Sequence, residues 1–470
     1  MVRTVLKNGR WLMAVCLVLG LVYGIEAGHP LLHAHESTGD STQDSSESTL
    51  HELFANGQFA QVLQLIDQLG HPASASFSVR RLKMLSLALL GKTSEGIEEY
   101  ERFVDATHEE HEPLLRELAI ACILPFRADM REQIRGAAYT ALKEIGTDDV
   151  IPFLEEGYTD GSGMIRALVV EGLGQFPEGF ASKAVRQALD DQAAWVRATA
   201  IKVLGRTGNK AMVDLIEPRL KDKQAMVQIT AAGALIMLGK PQYWARIEQA
   251  VQSDEGYERG AAIRMLGELR DIRALPMLTA ALKDPQPSIR IAAAAALGKL
   301  GSSQAVPYLA EALAEGIPSV RAAAAVSLGT LRAEQAIPVL KRALRDRDPG
   351  VQTAAIDALL RLDVPFAEVA PTVRHLLHSQ NPKIRSGLAK ALARGRGQAV
   401  VETLAILLQD PIPSPRISAA RSLGRIGGRD VLPLLKQALR DSNEAVRATA
   451  AGAIASILSK HVRTSRFRLR

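Results

Sequence analysis

Residues 320–331 read VRAAAAVSLGTL, and residues 289–301 read IRIAAAAALGKLG. These two stretches carry the pattern from which the fold is predicted. Counted from Val320 as offset 0, apolar residues at offsets 0, 4, 8 and 11 share one face of a helix. Alanines at offsets 4 and 5 allow close helix approach, and Gly301, at offset 12 of the second stretch, predicts a left-handed helix end. Ser288 and Ser319 are predicted N-caps. The pattern therefore predicts a short amphipathic helix with closely packed neighbours.

The same pattern recurs along most of the chain with nearly constant spacing. The eleven copies start at Ile134, Ile165, Val196, Val227, position 258, Ile289, Val320, Val351, Ile384, position 415 and Val446. Successive start positions differ by 31 in every interval except the one from Val351 to Ile384, where they differ by 33. A repeat of this length is a helix pair that cannot bury its apolar face alone, so we expect the copies to stack.

These residues resemble the short HEAT-like repeats of the phycobilisome lyase type, over roughly residues 129–460. The resemblance implies an all-α fold, a HEAT/armadillo-like α-α superhelix whose second helices line a concave groove. We place this solenoid at residues 113–459. The family includes bilin lyases and, more distantly, deoxyhypusine hydroxylase, alongside many scaffolds, so the resemblance implies a fold and leaves the function open.

A second kind of repeat precedes the first, at residues 50–112. The position numbers of Gly57 and Gly91 differ by 34, as do those of Ile66 and Tyr100. A helix-turn-helix period of this length resembles tetratricopeptide repeats. Two such repeats are not stable alone, so we predict a TPR-like helical pair that stacks on the following helices.

The N-terminal segment at positions 1–27 is predicted to be an export signal. Residues 1–10 carry three basic residues and no acid, and an apolar run follows at 11–25. The run is shorter than the roughly 20 residues of a membrane-spanning helix, which favours cleavage, with retention as an anchor left open. We therefore expect an exported protein, periplasmic or attached to the outer side of a membrane. Residues 28–49 are polar and are predicted to form a disordered spacer.

The net charge and the cysteine content bear on two properties of the protein, nucleic-acid binding and internal disulfides. The net charge is +6, and the predicted basic tail at 460–470 carries five basic residues and no acid. The rest of the chain is close to neutral, so nucleic-acid binding is not expected. Removal of the signal would leave Cys122 as the single cysteine, which cannot form an internal disulfide.

Arginine follows the first position in nine of the eleven copies, and aspartate stands five positions before it in eight. The resemblance implies that these side chains form a hydrogen-bonded ladder between repeats, which is a structural role. The ladder residues singled out are Asp191, Arg197, Asp284, Arg290, Asp441 and Arg447.

Offsets 6 and 10 are predicted to face the groove, where nine basic side chains stand against four acidic ones. Most of the excess lies in the C-terminal repeats, and the predicted partner-binding residues are Arg361, Lys390, Arg394, Arg421 and Arg425. Such a face suits a protein partner with an acidic segment, or an anionic envelope polymer; the basic tail suits a membrane surface. A solvated face without a ligand is the alternative.

The apolar C-terminal end from Ala450 to Leu458 has no polar capping repeat. The tail, a partner or a second copy in a homodimer could cover it.

Enzyme signatures were sought among the histidines. Four His-Glu pairs, His35-Glu36, His51-Glu52, His108-Glu109 and His111-Glu112, all precede the HEAT-like repeats and share no repeat offset, so a di-iron site is not expected. His29, His33 and His35 could bind metal loosely near the mature N-terminus. No cofactor is predicted. The sequence thus favours an exported non-enzymatic scaffold, and the alternative is an enzyme or enzyme-associated factor of the bilin lyase or deoxyhypusine hydroxylase kind.

Overall fold

A computed structural model describes residues 41–70 and 76–467, with side chains described for 46–70 and 76–460. The predicted signal at 1–27 and the histidines His29, His33 and His35 lie outside the described residues. All regular secondary structure in the described ranges is helical, which confirms the all-α prediction. The contacts divide the chain into two compact units, one up to Gly157 and from Leu432 onward, the other Tyr158–Val431.

The described part of the first unit begins with seven α-helices. They are α1 (Ser41–Ala55), α2 (Phe59–Leu69), α3 (Phe77–Leu89), α4 (Thr93–Thr107), α5 (Glu112–Ile123), α6 (Glu132–Ile145) and α7 (Ile151–Gly157). Short 3₁₀ segments at Leu124–Ala128 and Asp148–Val150 connect the last three. Helix α1 begins inside the predicted spacer 28–49, because Leu50 and Phe54 on this helix are buried in the core of the unit.

The second unit is described throughout and contains eighteen α-helices. They are α8 (Gly163–Leu173), α9 (Pro177–Phe180), α10 (Lys183–Gln187), α11 (Ala194–Gly205), α12 (Val213–Ile216), α13 (Ala225–Met237), α14 (Trp244–Val251), α15 (Gly256–Leu269), α16 (Leu275–Ala281), α17 (Pro287–Leu300), α18 (Val306–Ala312), α19 (Pro318–Thr330), α20 (Ile337–Ala343), α21 (Pro349–Arg361), α22 (Phe366–Leu377), α23 (Pro382–Leu392), α24 (Gln398–Leu407) and α25 (Pro413–Ile426). Single 3₁₀ turns, such as Ser303–Ala305, precede several first helices.

The second helices of consecutive repeats pack side by side, in the order α8, α11, α13, α15, α17, α19, α21, α23 and α25. Small residues bring the backbones together. A Cβ on Gly329 would lie 2.6 Å from Cα of Ala358, and a Cβ on Gly267 would lie 2.7 Å from Cα of Ala296. The predicted close approach of the second helices is therefore present.

The helix starts differ from the prediction. Ser288 and Ser319 are not N-caps, because α17 and α19 begin one residue earlier, at Pro287 and Pro318. Proline suits the first helical position since its φ is already helical and its missing N–H has no intrahelical acceptor there. The longer interval between Val351 and Ile384 also has a visible cause: α22 has 12 residues, whereas the corresponding helix α20 has 7.

The last two helices return to the first unit. Helices α26 (Leu432–Ala438) and α27 (Glu444–Phe467) follow the second unit, and α27 packs against α5 and α6. Ala450, Ile454 and Ile457 are buried, and a Cβ on Gly452 would lie 2.7 Å from Cβ of Ala141. The expectation of an open C-terminal end is therefore wrong, because helices of the same chain cover it. The possible homodimer stays a prediction.

Polar contacts also join the last two helices to earlier helices of the first unit. Arg116 Nε donates to Ser459 Oγ at 2.7 Å, and Lys436 Nζ lies 2.5 Å from Glu110 Oε1. Tyr100 donates to the same Glu110 carboxylate at 2.7 Å. Because α5 and α6 join α27, the compact units do not follow the predicted boundary between residues 112 and 113. Helix α27 also extends to Phe467, into the predicted tail 460–470.

Candidate functional site

Two groups of arginines in the second unit have contrasting surroundings, and the first group forms a ladder between repeats. Arg166 donates through Nε and Nη2 to the two oxygens of Asp191, at 2.7 and 2.8 Å. Arg197 does the same to Asp222, at 2.7 Å for both contacts. The other pairs are Arg259 with Asp284, Arg290 with Glu315, Arg321 with Asp346 and Arg385 with Asp410. Each pair joins one repeat to the next, and the bidentate contact is the strongest geometry for this ion pair.

Two copies lack the ladder arginine, and each break involves both partners. Gln228 and Gln352 replace arginine, and Ser253 and Ser379 replace the carboxylate of the following repeat. Each glutamine instead donates to a backbone carbonyl, at 2.6 Å, as Gln228 does to Asp222. The paired loss keeps the ladder free of unmatched charge, and it is a signal already present in the sequence.

The arginine partners favour the ionised form of the ladder carboxylates. The hydrogen bond from Arg197 lowers the pKa of Asp222, and the one from Arg321 lowers the pKa of Asp346. Arg447, predicted for the ladder, binds the backbone carbonyls of Asp441 and Ser442 instead. Its guanidinium lies 5.5 Å from the centre of the Phe126 ring, within the first unit.

The second group lines a cavity of about 450 Å³ at the C-terminal ends of α19, α21, α23 and α25. Five arginines line it, and we call it the arginine pocket: Arg332, Arg361, Arg394, Arg396 and Arg425. The partial negative charge of four helix C-termini favours cations at this place. The lining contains one carboxylate, Asp363.

Two of the five arginines of this pocket have no carboxylate partner among the described residues. Asp357 lies behind it and accepts from Arg361 Nε at 2.6 Å, with Arg394 Nε at 3.5 Å from its other oxygen. Among the described residues, Arg332 and Arg396 have no ion-pair partner, and both side chains are exposed. The pocket is therefore an electropositive cavity open to an anionic ligand.

Two charged residues of the pocket have left-handed backbones. Arg332 has φ of 50° and Asp363 has φ of 55°, at the offset where Gly208 and Gly301 have φ of 67° and 80°. An L-residue with a side chain in this conformation costs about 1–2 kcal/mol. The chain thus carries charged side chains at the pocket where glycine would fit the backbone better, as it also does at Arg270, which has φ of 52° outside the pocket lining.

Comparison with known families addresses the repeats. The family model for HEAT repeats matches residues 182–258, 244–317, 316–393 and 369–455, which together extend over more than half of the chain. The chain belongs to the HEAT-repeat family. The HEAT-like repeats predicted from the sequence are thereby confirmed. No curated protein matches this HEAT-repeat chain.

Two solved structures are similar to parts of it. Human deoxyhypusine hydroxylase in complex with glycerol is 24% identical, with a TM-score of 0.27, over 55% of this chain and 99% of that one. The complex of CpcE and CpcF of phycocyanin lyase from Nostoc sp. PCC7120 is 21% identical, with a TM-score of 0.33, over 58% of this chain and 94% of that one. Neither similarity bears on the activity of this HEAT-repeat protein.

Three of the five predicted partner-binding residues line the arginine pocket: Arg361, Arg394 and Arg425. Lys390 and Arg421 stand one helical turn earlier on α23 and α25 and are not part of its lining. Arg332 and Arg396 are not among the predicted residues, because they stand at offset 12, where a helix-ending glycine is expected.

The histidines singled out in the sequence have local roles where they are described. His51 Nε2 lies 2.7 Å from Ser78 Oγ, and His111 Nδ1 accepts from the backbone N–H of Leu114 at the start of α5. Burial raises the pKa of the Cys122 thiol to about 12. Within 41–70 and 76–467, no group of three metal-ligating side chains could hold an ion, and no helix is long and apolar enough to cross a membrane.

Proposed function

We propose that this HEAT-repeat protein is an exported, non-enzymatic scaffold that binds an acidic segment of a protein partner in the arginine pocket. The observation that carries the proposal is the charge imbalance of the pocket, with five arginines and one carboxylate in its lining. Helix ends from four repeats hold these arginines, so the backbone positions are set by the fold.

A carboxylate-rich segment matches this surface in chemistry. The guanidinium fork binds a carboxylate through two parallel hydrogen bonds, which favours Asp and Glu side chains over a diffuse negative field. Each exposed pair contributes at most about 1 kcal/mol, so binding needs several acidic side chains at once. We therefore expect the affinity to fall as salt is raised.

The test uses a fluorescent peptide with a block of glutamates and the full-length protein. Anisotropy titration should show binding that Arg394→Glu with Arg425→Glu weakens at least about tenfold, since the change replaces two attractions by two repulsions. The matched control is Arg342→Glu with Arg345→Glu, an equal charge change at exposed residues of α20 and its end, outside the pocket. Equal weakening by both double variants would refute a site in the pocket.

The non-enzymatic part has its own test. Stoichiometric iron or a covalently attached pigment in protein purified from its native host would overturn it. We further propose that residues 1–27 direct export, supported by their basic and then apolar composition. Cell fractionation and the mass of the mature chain test this step; a full-length chain in the cytoplasm would refute it.

A further inference from the structure

A second group of cations lies on the second helices α11, α15 and α17, and we call it the Glu268 cluster: Lys202, Arg206, Arg264, Glu268 and Lys299. Glu268 receives three of the four cations, with Lys202 Nζ at 3.1 Å and with Arg206 Nη2 and Lys299 Nζ at 2.6 Å. Burial would raise the pKa of Glu268, but the bonds from Lys299 and Lys202 outweigh it and lower the pKa to about 2. One carboxylate therefore forms ion pairs with cations that precede α15 and with a cation that follows it.

Lys202 and Arg206 reach Glu268 across an intervening helix. Adjacent helix axes are about 8–10 Å apart, so α11 and α15 are separated by the width of α13. At the crossing, offset 6 of α13 is Gly233, and a Cβ there would lie 2.0 Å from Sδ of Met265. The side chain of Met265, from α15, therefore fills the place of the missing side chain. Lys202 and Arg206 contact Glu268 over this part of α13. The second helices thus present one continuous face in this part of the unit.

Arg264 is the fourth cation and has no counter-charge. Its Nη1 lies 3.2 Å from where a Cβ of Gly260 would be, so the guanidinium folds back along α15. Burial by the surrounding protein lowers the pKa of Arg264, yet the side chain is exposed enough for a ligand to reach it. No ion pair is formed by Arg264 with any residue that the structure describes. The cluster therefore retains a net positive charge after Glu268 is counted.

The face between the Glu268 cluster and the arginine pocket is uncharged. At offsets 6 and 10, the residues after α15 and before Asp357 are Ala295, Lys299, Val326 and Thr330, so Lys299 of the cluster is the last charge before the pocket. No carboxylate at these offsets opposes an acidic ligand that passes from one group to the other. Two electropositive groups separated by a neutral stretch suit a partner segment whose negative charges are arranged in the same way.

We infer that the partner's segment is extended and carries two acidic blocks separated by about eight uncharged residues, one block in the arginine pocket and one on the Glu268 cluster. The spacing follows from two to three helix widths of about 8–10 Å each and about 3.3 Å per extended residue. This inference rests on the proposed function, because it assigns the first block to the arginine pocket.

Three synthetic peptides test it on the full-length protein, by anisotropy. The first has two glutamate blocks with a neutral Gly/Ser spacer of about eight residues, the second has the same composition with all glutamates contiguous, and the third has a single block. We expect the two-block peptide to bind about tenfold more tightly than the other two, because the second contact becomes intramolecular.

Variants separate the two groups. Arg264→Gln with Lys299→Gln should reduce the two-block peptide to the affinity of the single-block peptide and leave the single-block affinity unchanged. Arg264→Gln alone is the milder second variant, because it breaks no ion pair. Equal affinities of the two composition-matched peptides would overturn the inference. Failure of the proposed function looks different: the single-block peptide would then be insensitive to Arg394→Glu with Arg425→Glu.

Discussion

The ladder and the arginine pocket use the same side chain within the second unit, but with a different charge balance. Every ladder arginine named above in the second unit meets a carboxylate of the next repeat, and the arginine and the carboxylate are lost together at Gln228 and Ser253. In the pocket, Arg332 and Arg396 have no ion-pair partner among the described residues. The presence of a carboxylate partner, rather than the residue type or its recurrence, therefore separates the framework arginines from those available for binding.

Breaking one ladder pair should give the largest effect. Arg197 is 5% exposed, and Arg197→Ala leaves the carboxylate of Asp222 without its partner in a largely buried site. We expect the free energy of unfolding to fall by about 3 kcal/mol, since an uncompensated buried charge is strongly destabilising. Chemical denaturation followed by circular dichroism measures this loss.

The chain supplies its own control for that experiment. Arg197→Gln with Asp222→Ser copies the combination found at Gln228 and Ser253, so the double variant should recover most of the stability lost in Arg197→Ala. A double variant as unstable as Arg197→Ala would mean that the ladder acts through more than charge matching.

Lowering the pH should have the next largest effect, because it weakens the ion pairs of the ladder. Arginine hydrogen bonds hold the pKa values of Asp222 and Asp346 below the unfolded value of about 3.9. A lowered folded-state pKa contributes stability that is fully present above the unfolded pKa and is lost as pH falls through the folded pKa. The melting temperature should therefore fall below about pH 4. Arg197→Gln with Asp222→Ser should show a shallower fall; an unchanged pH profile would contradict the assignment.

The sequence predicts the framework well because the framework is periodic. The regular spacing of the repeats predicts every second helix, and offset 10 identifies Arg361, Arg394 and Arg425 of the pocket. Arg332 and Arg396 are not predicted, because offset 12 carries glycine in five of the eleven copies and is therefore expected to end the helix rather than to bind a ligand. Packing of α27 on α5 and α6 could not be predicted either, since contacts such as Arg116 with Ser459 join distant parts of the chain and leave no periodic signal.

Replacing Arg332 by glycine should change stability and binding in opposite directions. Arg332→Gly relieves the left-handed backbone at φ of 50° and should stabilise the protein by up to about 1 kcal/mol. It also removes a pocket cation, so the single-block peptide should bind less tightly. Arg270→Gly is the matched control, because Arg270 has φ of 52° but lies outside the pocket lining. Loss of peptide affinity in both variants would argue against a specific role for Arg332.

The smallest change in peptide affinity is expected where a carboxylate of the chain already forms ion pairs with the cations. Glu268→Gln removes the negative charge that Lys202, Arg206 and Lys299 share, and leaves a side chain of similar size. The Glu268 cluster then gains one unit of positive charge, so the two-block peptide should bind about threefold more tightly, as expected for an exposed pair contributing below about 1 kcal/mol. Single-block binding should not change. Weaker two-block binding would show instead that Glu268 holds the three cations in position, and that the cluster resembles the ladder more than the pocket.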